Sequence, residues 1–88
     1  MEIEFDPEKA ASNLRKHRVS FAHTEQAIRD PLGITIEDPD SDGELRLVTL
    51  GADSLGRVLV VVHTPQDDRA RIISARKASR NEALNYHA

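Results

Sequence analysis

Arg57, His63, Arg71, Arg76 and Lys77 fall within one stretch, RVLVVVHTPQDDRARIISARK, and are the side chains in this chain best suited to hold a phosphate. A guanidinium is planar, stays charged and binds phosphate oxygens bidentately. Histidine changes its charge near neutral pH and can move protons. The apolar run Val58 to Val62 and the β-branched run after the polar break predict two antiparallel strands, with these residues toward their ends. If Thr64 to Asp68 closes the hairpin and His63 faces Arg69, then Val61 faces Arg71, Leu59 faces Ile73 and Arg57 faces Ala75. His63 and Arg71 become diagonal neighbours about 7 Å apart. Arg57 and Lys77 gather toward the other end of that face, while Arg76 points away. The set therefore meets at one phosphate only with a bulge or a twisted strand end. For each arginine the plain alternative is an ion pair with one of the chain's many carboxylates.

Other chemistries are poorly supported. His17, His23, His63 and His87 lack the i, i+4 pairing of a helical zinc site, and no cysteine offers a thiolate or a disulfide. Asp38-x-Asp40-x-Asp42-Gly43 opens like a calcium loop, but its twelfth position is Thr49 where a bidentate glutamate is required, so it reads as a hairpin loop. There is no Gly-rich phosphate loop and no serine nucleophile elbow. The expectation is no metal and no cofactor.

The charge is unevenly spread. The net formal charge is −3, yet residues 1–56 hold 6 Lys/Arg against 12 Asp/Glu, and residues 57–88 hold 6 against 3. A local cationic surface can still bind phosphate, because screening limits distant charges to about 10 Å. The acidic first part is either a solvated surface or a face for a basic partner. Direct DNA binding by this chain is disfavoured by the acidic total. No apolar run is long enough for a membrane span, and MEIEFDPEK lacks a signal-peptide design, so a cytoplasmic location is expected.

The elements that must position these residues follow from period and caps. Eighty-eight residues make a single domain, 1–88. Glu2 to Phe5 has the makings of a short edge strand. Asp6-Pro7 starts a helix, with Asp6 as N-cap, and Ala10, Leu14 and His17 at helical spacing form a face that ends in a half-buried histidine. Ser20 caps a second helix through Ile28, which Asp30-Pro31 ends. From Leu32 the pattern alternates, giving strands at Leu32 to Glu37 (half-buried), Glu44 to Leu50, Arg57 to His63 and Arg69 to Lys77. Ser79-Arg80-Asn81-Glu82 is a capping box that opens a terminal helix. The fold expected is α+β: two N-terminal helices, a four-stranded antiparallel sheet with the helices on one face, and one C-terminal helix.

Four segments, FDPEKAASNLRKHRVSF, DPLGITIEDP, GRVLVVVHT and RIISARKASRNE, closely resemble the BrnT family of toxins from bacterial toxin–antitoxin pairs, in the family's order and nearly end to end. The resemblance implies a RelE-like protein that cleaves RNA without a metal, inhibits translation and is neutralised by a cognate antitoxin. That partner would be a BrnA-like, ribbon-helix-helix DNA-binding protein, so DNA would be reached only through it. Carried over by position, the resemblance points to Arg57, Arg71, Arg76 and the Lys16-His17 pair; with His63 and Lys77 added from the hairpin itself, the expected catalytic residues are Arg57, His63, Arg71 and Arg76 and the expected RNA contacts Lys16, His17 and Lys77. His63 or His17 can serve in proton transfer, with Tyr86 a further candidate. Arg18 stands where the family usually shows glycine, His63 where tyrosine is common, and Phe5 where tryptophan is common. The competing reading is a catalytically weak module that only pairs with a DNA-binding antitoxin.

Overall fold

A computed structural model describes all 88 residues. The elements are β1 (Glu2–Glu4), α1 (Pro7–His17), a 3-10 turn (Phe21–His23) running into α2 (Thr24–Ile28), β2 (Ile34–Glu37), β3 (Leu47–Ala52), β4 (Val58–Gln66), β5 (Arg69–Lys77) and α3 (Arg80–His87). The strands form one five-stranded mixed sheet in the order β1-β5-β4-β3-β2. The expected four-stranded antiparallel sheet is thereby corrected. β1 adds a fifth strand that pairs with β5 in parallel, Glu2 with Arg69 and Glu4 with Arg71. The short edge strand expected at Glu2 to Phe5 is present as Glu2–Glu4, but a parallel partner 67 positions away leaves no local signal that it joins this sheet.

The outer edge of β5 is nine residues long, and β1 covers only its first part. Asn13 covers some of the rest. Its Oδ1 accepts the Ala75 N–H at 3.1 Å and its Nδ2 donates to the Ala75 carbonyl at 2.8 Å, as a neighbouring strand would. Nδ2 also donates to the Val19 carbonyl at 3.0 Å. A buried amide with its partners satisfied therefore ties α1 along the sheet edge. This corrects the apolar helix face expected from Ala10, Leu14 and His17: Asn13 is the buried residue of α1, Leu14 is 48% exposed, and His17 lies open. Asp6 does cap α1, accepting the Glu8 N–H, and Arg18 ends it in the left-handed conformation at φ 59° that glycine would take more cheaply.

One sheet face packs the core. Leu59, Val61, Ala70, Ile72 and Ala75 meet Val19, Phe21 and Ala27, with Ile3, Ala10 and Ile28 at the margin. The second helical segment opens as a 3-10 turn capped by Ser20, and α2 then lies so close to β3 that a Cβ at Gly51 would stand 2.1 Å from the Ala27 carbonyl oxygen. The opposite face carries Ile34, Ile36, Val48, Leu50 and Val60, lining a shallow hollow of about 340 Å³ flanked by Glu82 and Asn85 of α3. The helices are thus not all on one face. α3 buries no residue, and polar anchors hold it: the capping box of Ser79 and Glu82, and the Tyr86 hydroxyl donating to Asp30.

Candidate functional site

The β4–β5 hairpin differs in register from expectation. β4 runs on through Pro65 to Gln66, and the connection is two residues, Asp67-Asp68, with Asp67 at φ 55°. Gln66 pairs with Arg69, Thr64 with Arg71, His63 with Ile72 and Val62 with Ser74, so Ile73 is an extra residue and makes a bulge. Pro65 read as a turn residue, but it lies beyond Leu47–His63, the last pair that β3 makes, where one side of β4 has no neighbour to bond.

This register scatters the residues expected to act together. His63 turns into the core face, is 4% exposed, and its Nε2 lies 2.8 Å from the Thr49 hydroxyl. Burial pushes its pKa down, so it is held neutral. Arg57 sits at the far end of that face, bound to Asp53 through Nε at 2.9 Å and Nη2 at 2.7 Å, with His23 Nδ1 at 3.2 Å. Arg76, on the other face, is held bidentately by Glu82 at 2.7 and 2.9 Å. Lys77 is exposed at the end of β5 on the core-face side. Arg69 leans to Glu2 and Glu4.

Arg71 differs from these. Ala70 and Ile72 on either side of it enter the core, so its side chain must leave by the opposite face. It is exposed and has no carboxylate within ion-pair distance, although Glu4 is its neighbour on β1. It faces a hollow of about 390 Å³ that Lys9, Arg46 and Thr64 also line. A second hollow of about 270 Å³ is lined by Lys9, Ser12, Lys16 and His17. Lys9 and the bulged Ile73 belong to both walls, so Arg71, Lys9, Lys16 and His17 follow one another along the β5 edge. The structure therefore brings Arg71 together with Lys16 and His17, and leaves Arg57, His63, Arg76 and Lys77 elsewhere. Lys9 and Arg46 were missed from sequence. The signal for Lys9 was available, since it stands seven residues before Lys16 and so on the same side of α1.

Such a strip can bind a polyanionic backbone with fixed positive charge and offers one open imidazole for proton transfer. A family model described as "Ribonuclease toxin, BrnT, of type II toxin-antitoxin system" matches residues 5–82. The crystal structure of the Brucella abortus ribonuclease toxin BrnT, at 1.1 Å resolution, is similar: 26% sequence identity, 91% of this chain and 99% of that chain covered, TM-score 0.67. No curated protein matches the sequence.

Proposed function

The chain belongs to the BrnT family of ribonuclease toxins of type II toxin–antitoxin systems, and on that premise we propose that it is an endoribonuclease that acts along the Arg71–Lys9–Lys16–His17 strip without a metal ion. The observation that carries the reading is the unpaired state of Arg71 beside Lys9, on an open wall, while other arginines of the hairpin are engaged by carboxylates. RNA supplies its own nucleophile. The ribose 2′-oxygen attacks phosphorus as its proton passes to a base, the 5′-oxygen leaves with a proton from an acid, and a 2′,3′-cyclic phosphate remains. The protein must position the backbone and stabilise charge on phosphorus. Arg71 suits the second task through its bidentate fork, and Lys9 and Lys16 hold the flanking phosphates. His17, exposed beside Lys16, serves one of the proton transfers; His63 is too deeply buried for it. Cleavage of RNA would inhibit translation, and a cognate antitoxin with a DNA-binding ribbon-helix-helix part would silence the toxin by covering this strip.

Purified protein incubated with RNA in EDTA is expected to cut it and leave cyclic phosphate ends, and Arg71→Ala to lose most of that activity. Intact RNA in the presence of correctly folded protein would overturn the reading. The competing reading, a catalytically weak partner of an antitoxin, is favoured by the engagement of Arg57 and Arg76 and the burial of His63. It requires a stable complex with the antitoxin together with no cleavage by the free toxin.

A further inference from the structure

The hollow in front of Arg71 contains charges of both signs that do not neutralise one another. Lys9 and Arg71 stand on one wall; Asp40, Asp42 and Glu44, from the β2–β3 loop, stand on the other. None of the five takes part in an ion pair. Arg46 fixes that loop, reaching Asp38 at 3.1 Å and the Asp40 carbonyl at 3.3 Å, and its Nε is buried with no partner. Between the walls lies Thr64, 2% exposed, whose hydroxyl oxygen is likewise buried without a hydrogen bond. Buried polar atoms are nearly always paired, so these two call for an occupant that pairs them.

The walls restrict what that occupant is. A bare phosphate answers the cationic wall and is repelled by the carboxylates. A metal ion answers the carboxylates and is repelled by the cations, and the three acids do not converge into a metal-holding cluster. An occupant with an anionic end and an end bearing N–H donors answers both walls, and a nucleotide is such a molecule. About 390 Å³ lies within the range of small-ligand sites. Among the RNA bases guanine alone carries adjacent donors, N1–H and an N2 amino hydrogen, on one edge, and these match the two oxygens of a carboxylate. Uracil would turn carbonyl oxygens toward the acids.

We infer that this hollow is a guanine-reading pocket: Arg71 and Lys9 hold the phosphate, a carboxylate among Asp40, Asp42 and Glu44 accepts the base edge, and cleavage falls beside guanosine. The inference rests on the ribonuclease reading and deepens it.

The test uses the full chain and short uridine-rich strands with one guanosine, or with inosine in its place, which lacks only the N2 amino group. Strands with 2′-deoxy sugars, which cannot be cleaved, report binding, and ribose strands report cutting. The guanosine strand is expected to bind about 10-fold tighter than the inosine strand, the gain of one good paired contact, and to be cut next to the guanosine. In a variant carrying Asp40→Asn, Asp42→Asn and Glu44→Gln that advantage is expected to vanish; these residues are exposed, so folding is readily verified by thermal melting. Cutting with no preference for guanosine, or a preference that survives in the neutralised variant, overturns the pocket and leaves the ribonuclease reading standing. Selective binding without any cutting has the opposite consequence.

Discussion

Arg57 and Arg71 lie toward opposite ends of the same sheet and meet opposite fates. At the β3–β4 turn, the Asp53 side chain is fully buried and receives the Leu55 and Arg57 N–H groups on Oδ1 at 3.0 and 2.9 Å. Its Oδ2 receives the Arg57 guanidinium, with His23 at 3.4 Å. Burial pushes the Asp53 carboxyl up, but the Arg57 N–H and guanidinium outweigh it and leave the group below the ordinary carboxylate range. Every charge there is answered from within the chain, and the result is a closed turn. At Arg71 the nearest strand neighbour, Glu4, is drawn toward Arg69 instead, and nothing in the chain answers the guanidinium. An arginine held by a buried carboxylate stabilises the fold; one left open by its own sheet is available to a ligand.

The sharpest way to break this comparison is to remove each arginine in turn. Arg71→Ala should slow RNA cleavage by about 3 kcal/mol of transition-state stabilisation, on the order of 100-fold, by analogy with loss of one oxyanion donor. Its stability in urea unfolding should change by no more than about 0.5 kcal/mol, as for an exposed side chain. Arg57→Ala should do the reverse. It strands a buried carboxylate and should cost about 2 kcal/mol in urea unfolding, with cleavage lost only as far as the protein unfolds. A large loss of cleavage in fully folded Arg57→Ala would move the active surface to the other end of the sheet.

A smaller effect tests the extent of the open region. Lys9→Ala should weaken RNA binding by about 1 kcal/mol and lower the slope of log affinity against log salt by about 0.7, the release of one counterion from a single strand. No change in that slope would confine the strip to Arg71.

What the sequence disclosed and what it hid divide along the same physical line. The β5 bounds and the Asp6 and Ser79 caps followed from residues within a few positions of one another. The capping box reads directly from Ser79 and Glu82, because both bonds span three residues. Register did not, because Pro65 and Thr64 resemble turn residues until it is known that β3 stops opposite His63. The register places His63 opposite Ile72 on the core face, away from Arg71. β1 reads locally as an edge strand, but its place beside β5 does not, because its partner is far along the chain. Lys9 and Arg46 do not stand out in the charge of their own segments, because the hollow gathers one residue from α1, one from the end of the β2–β3 loop and one from β5. Ion pairs are also invisible in composition: the acidic excess offers every arginine a partner, and only geometry separates Arg57, Arg69 and Arg76 from Arg71.

Arg76 gives the mildest and most discriminating test, because it is tied yet exposed. Glu82 accepts Arg76 Nη1 and the Ser79 N–H on Oε1, at 2.7 and 2.8 Å, and Arg76 Nη2 on Oε2. The Arg76 hydrogen bonds first, and the Ser79 N–H second, pull the Glu82 pKa from 4.5 to about 2. A carboxyl whose folded pKa is depressed contributes stability that is fully present above its unfolded value. That stability is lost as the pH falls through the folded one, so the window runs from 4.5 down to about 2. The side chains are 44% and 33% exposed, and screening at that exposure reduces the contribution to about 1 kcal/mol. Glu82→Gln should therefore lower stability by that amount at pH 7, and the gap from the unsubstituted protein should close as the solution is acidified toward pH 2, followed by urea titration at each pH. The same variant frees Arg76. If Arg76 serves only to pin α3, RNA affinity stays where it was; if it tightens, the carboxylate was withholding a phosphate ligand, and the division between engaged and open arginines would depend on α3 remaining docked.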